Sequence, residues 1–330
     1  MFLYIKSVRN GMDQSWMDVR VASLNVEADD IVSLELMPSD GEPLPSFSAG
    51  SHIDLKLPNG LIRQYSLCND SSEKNRYQIA VLLDPATRGG SASVHRDIKV
   101  NQIINISKPR QNFPLIDARY SILIAGGIGV TPLLSMAKRL DRTDASFEMH
   151  YCTRSSSRTA FTQHIRTASF ADRVHFHYDD GDQTQKFDID SVFVERNSDA
   201  HIYVCGPSGF MDFVINSAKD RGWPNEQIHF EYFSREVIAN DHTQFKVEVA
   251  SSGQRFDIPA DRSIVSVLEE NGIEIPVSCE QGICGTCVTR VLEGVPDHRD
   301  TFFSDAEKEK NDQITPCCSR ARTPLLILDL

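Results

Sequence analysis

The chain lacks a run of the ~20 consecutive apolar residues that a membrane-spanning helix needs. Its start, MFLYIKSVRNGMDQSW, has a short apolar stretch with no small-residue cleavage site after it, so we expect residues 1–16 to be an N-terminal extension of a cytoplasmic protein. Positive charge is also scarce, with 34 Lys and Arg against 46 Asp and Glu and a net charge of −12. This excess argues against nucleic-acid binding and is compatible with a basic protein partner.

The sequence also has no internal repeat and no low-complexity tract, which argues against a repeat array. At roughly 150 residues per domain, its 330 residues predict two or three domains. Hydrophobic residues make up 40% of the chain and charged residues 24%, as in ordinary globular proteins.

The hydrophobic pattern divides the chain into parts. Residues 17–118 contain short alternating or β-branched runs that end in Pro, Gly, Asn or Asp, which predicts a sandwich or barrel. In residues 119–233 apolar strands alternate with helical spacing, which predicts a parallel sheet with helices on both faces. Residues 234–243 are polar and patternless and are interpreted as a linker, and residues 244–330 begin with a hairpin and a short helix.

Cysteine is abundant but unevenly placed, since five of the eight cysteines lie in residues 279–330. A disulfide framework would be unusual in a reducing cytosol and in a chain of this length. Clustered cysteines in such a setting more often bind metal.

The segment CEQGICGTC holds Cys279-x4-Cys284-x2-Cys287, which is the plant-type [2Fe–2S] spacing. Gly282 and Gly285 allow the loop to turn inward, because glycine tolerates positive φ and close approach. A fourth thiolate is expected from the adjacent Cys317 and Cys318. A four-cysteine zinc site is the alternative, although zinc loops more often have two residues between the cysteines of both pairs.

The segments CEQGICGTC, VTRVLEGVPDHRD, CCSRA and LILDL resemble the C-terminal ferredoxin domain of phthalate dioxygenase reductase-type enzymes. The resemblance covers about residues 18–330. It implies a multidomain protein with an antiparallel Greek-key β-barrel for flavin, an α/β parallel-sheet nucleotide domain and a β-grasp plant-type ferredoxin domain. The implied metal ligands are Cys279, Cys284, Cys287 and Cys317.

The segment RQYSL at residues 63–67 resembles the Arg-x-Tyr-Ser motif that holds flavin in ferredoxin-reductase-like proteins. Arg63 offers a rigid fork of donors for a phosphate, and Ser66 a hydroxyl for the reactive edge of the ring. The segment RGGSAS at residues 88–93 precedes a predicted helix, whose N-terminus suits an anion. The predicted flavin contacts are Arg63, Gln64, Tyr65, Ser66, Gly90, Ser91 and Ser93.

Two strand–loop–helix segments, AGGIGVTP and YVCGPSGFM, are candidates for the nicotinamide site. The first is not the G-x-G-x-x-G fingerprint, so the inference rests on phosphate binding at a helix start and on the resemblance. The basic Arg154 and Arg158 in the segment CTRSSSR could hold the extra phosphate of NADPH, whereas the resemblance favours NADH. The predicted contacts are Gly126, Gly127, Gly129, Thr131, Pro132, Arg154, Cys205, Gly206, Pro207 and Phe233, and the predicted catalytic residues are Ser66, Thr131 and Cys205.

Together these motifs predict a reductase that passes electrons from NADH through FMN and a [2Fe–2S] cluster to an external protein. FMN is expected because the resembled family has this domain order and uses FMN. The resemblance implies a Rieske-type terminal oxygenase as partner, and the net charge of −6 on residues 244–330 suits docking to a basic surface. A cytochrome P450 partner and a zinc-stabilised binding module are the alternatives.

Overall fold

A computed structural model describes residues 16–193, 199–233 and 244–330. Residues 1–15 of the predicted extension and the whole predicted linker, 234–243, lie outside the described residues. The described part forms three main sheets in chain order, and we name the N-terminal, central and C-terminal domains after them.

The N-terminal domain is built from seven antiparallel strands and one helix. The strand order is β4-β3-β6-β1-β2-β5, with β7 beside β3, so β6 inserts between earlier strands as in a Greek key. The elements are β1 (Met17–Ala28), β2 (Ile31–Pro38), β3 (Ser51–Lys56), β4 (Ile62–Ser66), β5 (Tyr77–Leu82), α1 (Gly90–Asp97), β6 (Ile103–Ile106) and β7 (Arg110–Gln111).

Strand β3 shows how this domain separates its core from its functional face. Ile53 and Leu55 are fully buried in the apolar core, whereas His52 and Asp54 alternate with them on the opposite face and are also fully buried. Burial of polar side chains on the outer face requires another part of the chain to cover that face.

The central domain has five parallel strands in the order β10-β9-β8-β11-β12. Strand β8 reads as a continuous apolar run because it is covered on both faces. Its elements are β8 (Tyr120–Gly126), α2 (Val130–Arg142), β9 (Phe147–Thr153), α3 (Thr162–Arg166), β10 (Val174–Tyr178), α4 (Ile189–Val192), β11 (Ala200–Gly206), α5 (Ser208–Asp220) and β12 (Ile228–Tyr232).

The C-terminal domain is a mixed sheet of order β14-β13-β19-β15-β17 with helix α6 packed against it. The hairpin turns at Ser252 and Gly253, and the Ser263 hydroxyl caps α6 by accepting from Ser266 N. The elements are β13 (Phe245–Val249), β14 (Gln254–Ile258), α6 (Ile264–Glu270), β15 (Thr289–Glu293), β16 (Pro296–Asp297), α7 (Asp305–Lys308), β17 (Gln313–Ile314), β18 (Arg320–Ala321) and β19 (Leu325–Leu328).

The predicted fold class is therefore confirmed: an antiparallel sheet domain, a parallel-sheet domain and a C-terminal domain follow one another along the chain. Among the described residues, no helix combines the length and apolar character that spanning a bilayer requires.

Candidate cofactor and electron-transfer site

The cysteine loop lies between α6 and β15 and presents its thiols in two pairs. Cys279 and Cys284 are in side-chain contact, and Cys287 is in contact with Cys317 from the segment before β18. A two-iron cluster needs two thiolates on each iron, so two thiol pairs fit its ligand set. The neighbouring Cys279 thiol lowers the pKa of Cys284, which favours a thiolate there.

Backbone amides of the same loop point at the sulfurs. The amides of Gln281 and Cys284 each donate to Cys279 Sγ at 3.4 Å, and the amide of Thr286 donates to Cys284 Sγ at 3.5 Å. Such donors stabilise thiolate charge and tune a cluster potential.

The two glycines of the loop are required by space as well as by backbone angle. Both have φ of +70°. A Cβ on Gly282 would lie 2.3 Å from Cys318 Sγ, and one on Gly285 would lie 2.2 Å from the Phe302 ring. The sequence predicted the conformational need, but not the side chains that fill the space.

The structure places the two adjacent cysteines differently. Cys317 is partly exposed and contacts Cys287, whereas Cys318 is buried and packs behind the loop at Gly282. Cys318 Sγ lies 3.4 Å from the Thr315 hydroxyl. This geometry supports Cys317 as the fourth ligand.

The predicted flavin motif occupies strand β4, and its arginine lies against the start of α1. A Cβ on Gly90 would meet Arg63 Nε at 2.9 Å, so glycine lets the guanidinium approach the helix N-terminus. Gln64 Nε2 is buried without a hydrogen-bond partner among the described residues. A phosphate and a polar ring edge are groups that would satisfy these donors.

The serines of the second flavin segment are already engaged. Ser91 Oγ donates to Thr87 Oγ1 at 3.0 Å and accepts from Asp84 N at 3.1 Å. Ser93 is fully buried and donates to Asp97 Oδ2 at 2.9 Å. The Ser93 side chain therefore acts within α1, and its flavin contact stays a prediction.

The two predicted nicotinamide loops meet at the carboxyl edge of the central sheet. A Cβ on Gly129 would lie 2.2 Å from the Cys205 carbonyl oxygen, and one on Gly206 would lie 2.9 Å from Gly126 Cα. Thr131 is buried in the first turn of α2, and its hydroxyl donates to Ile128 O at 3.1 Å. Glycines therefore let the loops pack backbone against backbone.

Three polar side chains converge between the N-terminal and central domains. Cys205 is paired in register with Glu231 on β12, and Ser66 Oγ donates to Glu231 Oε2 at 3.5 Å. Burial raises the pKa of Glu231 to about 8. Burial, followed by the Glu231 charge, holds the pKa of the Cys205 thiol well above its ordinary range, so Cys205 is a neutral thiol.

Glu231 was missed by the sequence reasoning. The available signal was a carboxylate inside the aromatic-rich run QIHFEYF. Burying an acidic side chain in a strand costs free energy, so such a residue is a candidate for a functional role. Phe233, which was chosen from the same run, is partly buried against the core shared by the first two domains.

The two arginines of the segment after β9 differ in their surroundings. Arg154 is exposed at the end of β9. Arg158 Nη2 lies 3.4 Å from Asp30 Oδ2, and the neighbouring Ser157 hydroxyl donates to Asp29 at 2.7 Å. Arg158 is therefore tied to the N-terminal domain, which leaves Arg154 as the cation nearest the strand end.

The C-terminal domain supplies the cover that buried polar groups on β3 require. Ser278, next to the first cluster cysteine, donates to Asp54 Oδ1 at 2.7 Å, and Arg110 Nη2 donates to Asp54 Oδ2 at 2.5 Å. Both Asp54 and Ser278 are buried. The cysteine loop therefore lies directly against the strand that pairs with the flavin motif.

The fold and this site define an oxidoreductase with a nucleotide domain and an iron–sulfur domain. Residues 247–322 match the family of 2Fe-2S iron-sulfur cluster binding domains, and residues 123–216 match the oxidoreductase NAD-binding domain. The zinc-stabilised binding module is thereby excluded, and the predicted NAD and [2Fe–2S] cofactors are confirmed.

The whole-length comparisons agree with these matches. The chain is 48% identical to a vanillate O-demethylase oxidoreductase of Pseudomonas sp. (strain HR199 / DSM 7063), over 95% of this chain and 100% of that protein. It is 42% identical to the phthalate dioxygenase reductase of Burkholderia cepacia, over 96% and 98% of the two chains.

Solved structures extend the likeness to the fold. A phthalate dioxygenase reductase, described as a modular structure for electron transfer from pyridine nucleotides to [2Fe–2S], matches with a TM-score of 0.77 and 42% identity over 96% of this chain and 98% of that one. A type IV self-sufficient cytochrome P450 monooxygenase matches at 0.79 with 33% identity, over 96% of this chain and 41% of that one. The chain belongs to the phthalate dioxygenase reductase-type family, as the sequence motifs predicted.

Proposed function

We propose that this protein passes electrons from NADH through FMN and a [2Fe–2S] cluster to a Rieske-type terminal oxygenase. The observation that carries the proposal is the contact of the cysteine loop with the flavin-motif domain through Ser278 and Asp54, at 2.7 Å. Ser66 of the same domain, on the strand that pairs with β3, reaches Glu231 of the nucleotide domain at 3.5 Å. The N-terminal domain therefore touches both the nucleotide domain and the cluster loop.

Flavin supplies the conversion of a hydride into single electrons, which neither NADH nor an iron–sulfur cluster provides alone. Arg63 and the Gly89–Gly90 start of α1 would hold the FMN phosphate, and Gln64 Nε2 and the Ser66 hydroxyl would bind polar edges of the ring. FMN is favoured over FAD by the order of the domains. The remaining predicted contacts at Tyr65, Ser91 and Ser93 belong to the same proposal.

The central domain would bind NADH at the carboxyl edge of its sheet. Gly129 and Gly206 bring the backbones of the two loops together, and Gly126 lies against the Phe210 and Pro207 side chains. Together with Gly127, Thr131, Pro132, Cys205 and Pro207, these three glycines form the proposed nicotinamide site, with Phe233 at its border. Because Cys205 is a buried neutral thiol, it would act as a small, polarizable surface for the ring and not as a nucleophile.

The proposed metal ligands are Cys279, Cys284, Cys287 and Cys317, and the proposed domain boundaries are those predicted from the sequence: 17–118, 119–233 and 244–330. The cysteines outside this ligand set, Cys68, Cys152, Cys205 and Cys318, form no disulfide. Unpaired thiols are compatible with the proposed cytoplasmic location, where thiols stay reduced.

The electron acceptor is proposed from the relatives. Proteins named vanillate O-demethylase oxidoreductase are 45% to 52% identical to this chain, so an oxygenase that demethylates vanillate is the first acceptor to test. In stopped-flow mixing, the reduced protein should reduce this oxygenase at a rate that rises steeply as salt falls. Slow, salt-independent transfer would contradict the docking proposal.

A cytochrome P450 is the second candidate acceptor, because a self-sufficient P450 monooxygenase shares this fold over 96% of the chain. The same reduced protein can be mixed with a P450 instead. Faster transfer to the P450 haem than to the Rieske oxygenase would reverse our choice of partner.

A further inference from the structure

The residues on both sides of the first cluster cysteine bind the N-terminal domain. Ser278 donates to Asp54, and the Glu280 carboxylate lies 2.9 Å from Arg63 Nη1 and 3.4 Å from Arg88 Nη1. These contacts cross 217 and 192 residues of sequence. They place a carboxylate of the cluster loop beside the arginine of the flavin motif.

Glu280 adopts an unusual backbone conformation to make this contact. Its φ is +56°, in the left-handed region that residues with a Cβ seldom occupy. Residues held in that region are fixed by their surroundings and concentrate at functional sites. Here the surroundings are the two guanidinium groups that receive the carboxylate.

Arg88 also donates hydrogen bonds to the cysteine loop. Its Nη2 donates to Cys279 O at 3.3 Å, and its Nη1 donates to Glu280. The Gln281 side-chain amide, in the orientation that satisfies both of its ends, accepts from Arg88 Nη2 at 3.1 Å and donates to Phe233 O at 3.1 Å. Three domains therefore meet at residues 279–281.

Arg63 has donors left for a second anion. Its Nη1 donates to Ile62 O at 2.8 Å and to Glu280, while within the described residues its Nε and Nη2 have no acceptor. Its side chain is only 14% exposed, so the guanidinium lies in a shielded site. One arginine can therefore hold Glu280 on one side and a phosphate on the other.

We propose that Glu280 is a positioning residue that couples flavin occupancy to docking of the cluster domain, through its shared bond to Arg63 and its bond to Arg88. This inference rests on the proposed function, because it assigns the flavin phosphate to Arg63. Glu280 holds the cluster loop against the flavin site and, as a like charge beside the phosphate, weakens flavin binding.

Removing the charge of Glu280 should strengthen FMN binding but slow cluster reduction. A variant that is merely misfolded would show both functions weakened, so the two outcomes can be told apart. Glu280→Gln keeps the size of the side chain and removes its charge. Flavin-stripped protein carrying Glu280→Gln should bind FMN about three- to tenfold more tightly, measured by quenching of flavin fluorescence, because a like charge near the phosphate is lost. Reduction of the cluster by reduced flavin should be roughly tenfold slower, because the loop is held less precisely.

The matched control is Glu269→Gln, which removes an exposed carboxylate from α6 of the same domain. It should change neither the FMN affinity nor the rate of cluster reduction, followed by stopped-flow absorbance and by the electron paramagnetic resonance signal of the reduced cluster. If Glu280→Gln does not load a cluster, Arg88→Lys tests the same contact from outside the loop. Lysine lacks the planar fork whose two terminal nitrogens reach Glu280, Cys279 O and Gln281 together, so cluster reduction should again be slower.

Tighter FMN binding with slower cluster reduction supports the proposal. Unchanged cluster reduction, or weaker FMN binding by Glu280→Gln, overturns it. If the unmutated protein binds no FMN, or if NADH leaves its cluster oxidised, the proposed function itself fails. If the unmutated protein binds FMN and its cluster is reduced by NADH, and Glu280→Gln has the same FMN affinity and the same rate of cluster reduction, only the role of Glu280 is rejected.

Discussion

Ser66, the last residue of β4, donates a hydrogen bond of 3.5 Å to the carboxyl group of Glu231 on β12. The bond joins the flavin motif to the nucleotide domain across 165 residues. It places a titratable group beside the serine that we propose to face the reactive flavin edge. Because burial raises its pKa to about 8, Glu231 carries a proton near neutral pH.

Glu231 should make stability depend on pH. The native carboxyl holds its proton up to about pH 8, whereas in the unfolded chain it releases it near 4.5. Its contribution is therefore complete below pH 4.5 and is lost as pH rises through about 8. Because only one proton is involved, the slope cannot exceed ~1.4 kcal/mol per pH unit.

Urea unfolding of the protein and of Glu231→Gln between pH 5 and 9 measures this contribution. The variant should lose less stability than the unmutated protein as pH rises across this range. Parallel pH profiles for the two proteins would show that Glu231 titrates normally and that its burial has no energetic effect.

The adjacent cysteines should behave differently when each is replaced by alanine. Cys317→Ala removes the thiol that contacts Cys287 and should yield protein with little iron or acid-labile sulfide. Cys318→Ala removes a buried thiol behind the loop and should retain the cluster, at a cost of about 1 kcal/mol from the lost packing. Iron and sulfide analysis of both variants distinguishes them, and cluster loss in Cys318→Ala alone would reverse the ligand assignment.

Gly285→Ala should destabilise the cluster loop by more than the cost of placing alanine at a positive φ. Alanine at φ of +70° costs about 1–2 kcal/mol, and its Cβ would also lie 2.2 Å from Phe302. Gly253→Ala is the control, because Gly253 has φ of +68° and no atom of the described residues lies within 4 Å of its added Cβ. Cluster content and the thermal midpoint should fall further for Gly285→Ala, and equal losses would mean that the loop can move away from the ring.

Arg63→Ala should weaken FMN binding by roughly 10- to 100-fold, which is the usual cost of losing a charged hydrogen-bond donor. Arg96→Ala is the matched control, since Arg96 lies on α1 but is exposed and, within the described ranges, its guanidinium pairs only with its neighbour Asp97. Equilibrium dialysis of flavin-stripped protein gives both affinities. If the two variants bind FMN equally well, the phosphate lies elsewhere.

The parts that the sequence predicted are those encoded over short distances. Cys279, Cys284 and Cys287 lie within nine residues, and RQYSL is a single strand, so their spacing carries their chemistry. The turns and the alternation of strands and helices are equally local, which is why the fold class could be predicted. Cys317 followed from family resemblance, and the geometry of its neighbour Cys318 supports the choice.

The contacts between domains could not be predicted in this way. Glu231, Glu280 and Asp54 each act through a partner at least 165 residues away, and no local pattern specifies such a partner. The same reason explains Arg88, which stood in a predicted phosphate segment and instead holds the cluster loop. Side chains that join domains are determined by how the domains pack.

The central claim is that hydride electrons reach the iron through the flavin within this one chain. An anaerobic NADH titration of the purified holoprotein, followed by absorbance, tests it most directly. The account predicts bleaching of both flavin and cluster at about three electrons per chain, two on flavin and one on iron. Bleaching that stops at about two electrons, with the cluster still oxidised, would contradict it.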